Sequence, residues 1–235
     1  MDAQQFQKYV EGGNAKFGEI RENPKTRIKT FWANHADSTR RDRLRFTAYT
    51  KARVTSKPTQ PTMQDGQPDP NAAHVRVMEI EFSAEDPAIP ALQALDSMLE
   101  KFASTEISKA VKGYKYSPDN HRRALWGNKL RAKFSLSGGD QVDINKSISE
   151  TEITSAYVDD IEVGDVVDVE IACLGGMLIQ KIPSLMMRFT SILILEKQTR
   201  DFAFSRRQLK RVEAPVDEVD NLESEEKRAR TEPVC

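Results

Sequence analysis

The sequence predicts a mainly β fold that carries one helical insertion and ends in a disordered acidic C-terminal tail. Two segments, 43–54 and 129–136, alternate apolar and polar side chains at every second residue, as strands with one buried face do. One segment, from Asp86 onward, has the spacing of an amphipathic helix. Strand signals at irregular spacing around that helix favour an all-β core with an α insertion over a parallel α/β fold.

The two alternating strands share a basic face. In Arg43–Val54 the even positions are mostly apolar, and the odd positions are mostly basic, with one tyrosine. Lys129–Leu136 repeats this arrangement, so we expect both strands to bury one face and expose the other. A third strand is predicted at His74–Phe82, where the apolar phase shifts between Val77 and Met78, as a β-bulge would cause.

Further strands follow the helix. Asp165–Cys173 alternates apolar residues with an acidic face, and Met186–Leu195 is apolar on both faces except at Arg188, which suits a central strand. Phe31–Ala33 and Ile153–Val158 are shorter candidates.

The helical insertion is predicted over residues 86–113. Asp86 is a plausible cap, and Pro87 is the proline favoured in a first helical turn. Apolar residues then recur at helical spacing, namely Leu92, Leu95, Met98, Leu99 and Phe102. A short second helix is expected at Glu106–Lys112, ended by Gly113.

Composition divides the chain into an N-terminal extension (1–24), one domain (25–212) and the acidic tail (213–235). Within the domain, residues 56–73 are rich in proline and polar residues, which predicts a long mobile hairpin loop. A second loop is expected at Ser135–Glu152. The tail is predominantly acidic and lacks aromatic residues, so we expect it to be disordered.

The chain has 235 residues and two cysteines, Cys173 and Cys235. So few thiols exclude a disulfide scaffold or a zinc cluster and favour a reducing, intracellular compartment. No apolar run approaches the ~20 residues of a membrane-spanning helix, and the first residues lack the pattern of a secretory leader. We therefore expect a soluble protein without a membrane partner.

The net charge of −1 conceals a strong segregation of charges along the chain. Net basic blocks alternate with net acidic ones; the basic blocks are 1–60, 101–134 and 186–212, and the acidic blocks are 61–100, 135–185 and 213–235. Such blocks can gather cations on one face, so a near-neutral total is compatible with a polyanionic partner. The alternative is that the clusters are ordinary solvated surface.

Common catalytic motifs are absent from the sequence. It has no Walker loop, no G-x-G-x-x-G, no G-x-S-x-G and no histidine pair at metal-binding spacing. The acidic run from Asp159 to Glu170 offers carboxylates for a two-magnesium nuclease, but such runs are more often solvated faces. We therefore expect no enzyme, no cofactor and no metal, with a metal-dependent nuclease as the lowest-ranked alternative.

The basic strands suit single-stranded nucleic acid, because cations hold phosphates and exposed rings stack on unpaired bases. Lys112–Tyr116 interleaves basic and aromatic residues, and Trp126 is either a further stacking ring or part of the core. No helix-turn-helix, finger or long basic helix is visible, so single strands are favoured over duplex. The predicted nucleic-acid-binding residues are Arg43, Arg45, Tyr49, Lys51, Arg53, Lys112, Tyr114, Lys115, Tyr116, Arg122, Arg123, Trp126, Lys129, Arg131 and Lys133.

The order of these features resembles that of OB-fold single-stranded-DNA-binding proteins of large DNA viruses and some phages. The resemblance covers about residues 25–200: the basic strand, the long loop, the strand at 74–82, the helical insertion, and 159–196, where 163–169 enters a closing hairpin. It implies a single OB-like barrel whose groove binds the strand, and an acidic tail that competes with DNA and recruits replication proteins. The phage proteins usually end in an aromatic residue, whereas this chain ends in Cys235.

We therefore expect a sequence-nonspecific, non-catalytic single-stranded-DNA-binding protein that acts in DNA replication, recombination or repair. The alternative from another class is a virion or scaffold protein whose charge blocks meet those of a neighbouring copy. RNA in place of DNA, a homo-oligomer, and a nuclear or viral-replication-site location signalled by the basic residues 227–230 stay open.

Overall fold

In residues 1–36, 44–63, 66–117, 123–149 and 152–195, which the computed structural model describes, eleven strands form one mixed sheet. The side chains of residues 47–51 lie outside this description. Strands make up 45% of the described residues, which confirms the prediction of a mainly β fold. The strands are β1 (Ala15–Phe17), β2 (Arg21–Glu22), β3 (Lys29–His35), β4 (Leu44–Thr59), β5 (Val75–Glu81), β6 (Leu125–Trp126), β7 (Lys129–Ser135), β8 (Asp143–Ser147), β9 (Ile153–Ser155), β10 (Val166–Ile179) and β11 (Ile182–Ile194).

The described helices are α1 (Ala3–Glu11), α2 (Ala88–Phe102) and α3 (Ser108–Ala110), with a π-helical turn, Ala103–Ile107, joining the last two. Short 3-10 turns occupy Pro70–Ala72 and Val158–Asp160. Within the described residues, no helix combines the length and the apolar character needed to cross a membrane.

Five of the strands are paired in a closed circuit. The order is β4, β5, β7, β11, β10 and back to β4. Four of these pairings are antiparallel, and the fifth, between β7 and β11, is parallel and sets Lys133 opposite Arg188. The circuit encloses one core, in which large side chains such as Phe46, Phe134 and Phe189 are fully buried.

The predicted bulge is displaced to a neighbouring strand. The pairing of β5 with β7 runs without interruption from Val75 to Glu81. The register shifts lie instead between β5 and β4, on either side of Ser56, which faces Glu79. The change of apolar phase near Val77 thus coincides with irregular pairing between β5 and β4. The pairing between β5 and β7 is regular.

The main helix forms within the predicted insertion, but it begins at Ala88 with Pro87 as its N-cap, and the second helix is shorter than predicted, Ser108–Ala110. The Asp86 carboxylate accepts a hydrogen bond from the Ala88 backbone N–H at 2.7 Å, and Gly113, at φ 74°, follows the last helical turn. Helix α2 packs against α1 and contacts β1, β6 and β11. Its buried face includes Leu92, Leu95 and Leu99, as the helical spacing requires.

The prediction that residues 1–24 form an extension outside the domain is wrong. Phe6 of α1 is fully buried and packs on Phe46 of β4, with 4.6 Å between the ring centroids. Strand β1 pairs with β3, and Phe17 packs edge-on against Phe31. The N-terminal segment therefore belongs to the same core as the circuit.

Strand β10 changes its neighbour at Gly175. Up to Cys173 it pairs with β4, and from Gly175 onward it pairs with β3. Gly175 has φ 132°, and a Cβ atom there would lie 2.0 Å from the Phe31 carbonyl oxygen. Only glycine allows β3 to approach this closely, so the change of partner depends on Gly175.

Both predicted loops contain more structure than expected. Strand β4 continues to Thr59, so the loop predicted at 56–73 is shorter, and Thr62 and Pro68 form an isolated bridge within it. The segment predicted as a loop at 135–152 contains β8, which runs parallel to β11. The tail, residues 213–235, lies outside the described residues, as do 196–212.

Candidate nucleic-acid interface

Two basic strands of the circuit present their predicted faces. On β7, Leu130 and Phe134 are buried, whereas Arg131 and Lys133 are exposed and Lys129 is half-buried. On β4, the described side chains alternate in the same way, with Arg45 and Arg53 exposed. The predicted alternation of buried and outward-facing residues is therefore confirmed for 44–46, 52–54 and 129–134, but it is wrong at Ser135, which is buried.

Strand β5 lies between the two basic strands. Glu81 of β5 is in register with Arg53 of β4 on one side and with Lys129 of β7 on the other. Neighbouring strands are ~4.8 Å apart, so the two rows of cations are separated by roughly 10 Å on one face of the sheet. We call this outer surface of β4, β5 and β7 the basic face.

Carboxylates interrupt the basic face. Glu79 forms an ion pair with Lys129, with 3.6 Å between Oε1 and Nζ, and accepts a hydrogen bond from the Thr55 hydroxyl at 2.8 Å. At the other border, Arg45 lies 3.8 Å from the Glu170 carboxylate of β10. The sequence places these acids in separate acidic blocks, and only the strand order brings them among the cations.

Trp126 adds an exposed ring to the basic face. Strand β6 pairs with β7 so that Trp126 lies opposite Lys129, while Leu125 lies opposite the buried Leu130. The side chain is 88% exposed. The alternative of core packing for this residue is therefore excluded, and its ring extends the row formed by Arg53, Glu81 and Lys129.

Hydrogen bonds from the interior fix the hairpin that carries Trp126. The buried Asp96 carboxylate of α2 accepts the Ala124 backbone N–H through both oxygens, at 2.9 and 3.1 Å. After Trp126, Gly127 turns the chain at φ 64°, and Asn128 exchanges hydrogen bonds with the Phe82 backbone. An indole that projects into solvent is thus held on a well-anchored backbone.

Burial raises the pKa of the Asp96 carboxyl to about 7. The hydrogen bond from Ala124 and the charge of Arg123 act in the opposite direction, whereas Glu100 adds to the increase. The carboxyl group that anchors this hairpin therefore titrates near neutral pH.

The segment 112–116 does not form the exposed platform predicted from its sequence. Tyr114 is 6% exposed and belongs to the hydrophobic core, because a turn closed by its N–H and the Val111 carbonyl brings both side chains to the buried side. Tyr116 is half-buried against the same core. Lys112 and Lys115 are exposed, but no described contact joins them to the basic face.

Some predicted residues cannot be placed. Arg43 and Arg122 lie outside the described residues, and for Tyr49 and Lys51 the strand is described but the side chains are not. Arg123 is exposed next to Ala124, two positions before β6.

Turn formation accounts for two carboxylates of the acidic run. Asp160 accepts the Tyr157 backbone N–H and the buried Asp165 accepts that of Glu162, both at 2.8 Å. In the part of the chain that the structure describes, no three histidine, cysteine or acidic residues are placed to hold one metal ion.

A cation beyond the predicted set adjoins the basic face at Arg188 of β11. It is in register with Lys133, and its guanidinium Nη1 lies 2.8 Å from the Asp140 carboxylate. The sequence signal for this residue was a single charge in an otherwise apolar strand.

No protein-family model and no curated protein matches this chain. The chemistry of the basic face is therefore the basis for assigning a function. It combines cations from two strands, interrupting carboxylates and one exposed indole.

Proposed function

We propose that this protein binds single-stranded DNA on the basic face, without strong sequence preference and without catalysis. The observation that carries this proposal is Trp126, an indole 88% exposed and in register with Lys129. Exposing an indole to water is unfavourable, whereas stacking on an unpaired base contributes ~1–3 kcal/mol and tolerates any base. The neighbouring cations supply phosphate contacts, which favour binding through the release of counterions.

We further propose that the circuit is an OB-like barrel. In chain order the five strands of the circuit are β4, β5, β7, β10 and β11. Around the circuit they lie in the order first, second, third, fifth, fourth, and the third and fifth strands, β7 and β11, pair in parallel. OB folds bind oligonucleotides on the face of their second and third strands, which here are β5 and β7. The exposed indole adjoins β7 on that same face.

The carboxylates of the face support weak, salt-sensitive binding over tight binding. Glu79 and Glu81 lie between the two rows of cations and repel phosphates that approach both rows. We therefore expect few phosphate contacts per protein, and an affinity that depends on the stacked base as well as on charge.

A salt-titrated anisotropy assay with the full chain tests the proposal. Labelled single-stranded DNA, duplex DNA and RNA of equal length are compared, because cations and a stacking ring can bind single strands of either DNA or RNA. Binding of the single strands with a clear salt slope, and weaker binding of duplex, supports the proposal. Equal binding of duplex, or no binding at low salt, contradicts it.

A second candidate, a scaffold or virion protein, is favoured by a different surface. Ile153 of β9 and the nearby Tyr157 are 61% and 81% exposed, and β9 pairs only with β8 among the described strands. An edge strand with exposed apolar side chains is suited to pairing with another chain. Sedimentation at rising protein concentration tests this function, which predicts assembly that is insensitive to added oligonucleotide.

A further inference from the structure

A polar groove of about 360 Å³ opens at the border of the basic face. It lies between the start of β5, the end of β7, the turn that follows β7, and β11. Its lining includes His74, Ser135, Ser137, Gly139, Asp140 and Arg188. This volume is at the lower end of the range for small-ligand sites, which is ~300–1,000 Å³.

Arg188 is the central group of this groove. Its neighbours in β11, Met187 and Phe189, are buried in the core, so Arg188 points to the outer side, where its side chain is 22% exposed. The parallel pairing places it beside Lys133, the last cation of β7 on the basic face. The groove thus lies next to the proposed nucleic-acid surface.

Asp140 marks the position of an anion in the groove. Its carboxylate lies 2.8 Å from Arg188 Nη1, while its own side chain is 41% exposed on the turn after β7. Carboxylates and phosphates bind a guanidinium with the same geometry, and a guanidinium has five N–H donors, so one carboxylate contact does not use its capacity.

We propose that this groove is a phosphate subsite for the bound single strand, and that Asp140 is an intramolecular competitor for it. The inference rests on the proposed function. The arriving phosphate replaces the Asp140 carboxylate at Arg188, and Lys133 contacts the adjoining part of the backbone. His74 and Ser137 line the same space, and their side chains carry further hydrogen-bond donors for phosphate oxygens.

The competitor role predicts tighter binding when the charge of Asp140 is removed, a result that misfolding would not produce. Asp140→Asn removes the competing charge and should tighten binding of a labelled oligothymidylate severalfold. The matched control is Asp143→Asn, which changes the net charge equally but removes an exposed carboxylate of β8 that does not line the groove. Tightening in Asp140→Asn well beyond the control supports the subsite. Equal effects in the two variants, or weaker binding by Asp140→Asn, overturn it.

Arg188→Gln should have the opposite effect and weaken binding of the oligonucleotide. The salt slope of its affinity should fall by about one, because one phosphate contact is lost. If the wild-type chain binds the oligonucleotide and neither variant changes affinity or slope, the subsite is wrong and the proposed function stands. If the wild-type chain binds no oligonucleotide, the proposed function is wrong. Thermal shift with thymidine 5′-monophosphate then decides the groove: stabilisation of wild type but not of Arg188→Gln supports a phosphate site, and no stabilisation overturns it.

Discussion

The Ala124 backbone N–H donates a bifurcated hydrogen bond to both oxygens of the Asp96 carboxyl group, and this bond joins helix α2 to the hairpin of Trp126. The acceptor is buried, and burial raises the pKa of Asp96 from its ordinary value of 3.8 to about 7. Between these values the folded protein holds a proton that the unfolded chain has released. The stability contributed by the protonated group is complete below the lower value and is lost as pH rises through the upper one.

We therefore predict that the free energy of unfolding falls as pH rises from about 4 to 7, by an amount on the order of a few kcal/mol. Asp96→Asn keeps an oxygen acceptor for Ala124 and removes the titration, so its stability should change less over this range. Urea unfolding at a series of pH values measures both. A pH dependence identical to that of wild type would show that Asp96 does not titrate in this window.

Substitution of the exposed Trp126 tests whether the basic face binds single strands by stacking or by charge alone. Trp126→Ala should lose ~1–3 kcal/mol of single-strand affinity, and Trp126→Phe should keep most of it. The melting temperature should hardly change, because the side chain is mostly in solvent. In a Trp32→Phe background, fluorescence of the remaining tryptophan should be quenched by single strands. A variant that melts several degrees lower yet binds normally would assign Trp126 to the fold.

Arg45 and Arg131 test whether the two basic strands contact one ligand. Replacing both by Ala should weaken binding similarly for all sequences and lower the salt slope by about one for each contact. The control removes two exposed lysines of the helical insertion, Lys101 and Lys109, with the same change in net charge. An unchanged slope in the folded double variant would remove both arginines from the interface.

Glu81 tests the cost of placing a carboxylate between the two rows of cations. Glu81→Gln should tighten single-strand binding at low salt, and the gain should shrink as salt screens the repulsion. The control is Glu106→Gln, which removes an exposed charge from the helical insertion. If both variants gain equally, the effect comes from net charge and Glu81 has no local role.

Tyr114 tests the revised role of the segment 112–116. Its hydroxyl is buried without a hydrogen-bond partner among the described residues, and an unpaired buried hydroxyl costs ~1–3 kcal/mol. Tyr114→Phe should therefore leave stability unchanged or raise it, whereas Tyr114→Ala should lower it by ~3–5 kcal/mol. Chemical denaturation measures both. Loss of DNA affinity in the Phe variant, with stability intact, would restore the hydroxyl to the interface.

Local pattern predicted the strands and the helix whose faces differ most in polarity. The period-two alternation located β7, and the spacing of Leu92, Leu95 and Leu99 located α2, because one buried face governs each element. Strand β8 was missed because Asp143–Ser147 is largely polar and forms through pairing with β11. Helix α1 had a usable signal, since Asp2 and Gln5 form a capping box.

The candidate site was predictable in its cations but not in its acids. The alternation fixes the outward direction of Arg131, whereas its proximity to Glu79 depends on strand order and register. The burial of Tyr114 was equally beyond local pattern, because it depends on how the segment packs against the core. The exposure of Trp126 follows from the pairing of β6 with β7. A strand of two residues is too short for its sequence pattern to predict that pairing.

The parallel pairing of β7 with β11 also affects how the protein is made. The inner faces of β4, β5 and β7 are complete once Ser135 has been synthesised, but the strands that close the circuit, β10 and β11, emerge from the ribosome much later. A nascent chain stopped between these points carries an uncovered apolar surface, and non-local pairing slows the final closure. We therefore expect the nascent protein to depend on chaperones until β11, which ends at Ile194, has been synthesised and paired. The yield of folded protein in cells should then vary with the speed of translation across residues 136–194.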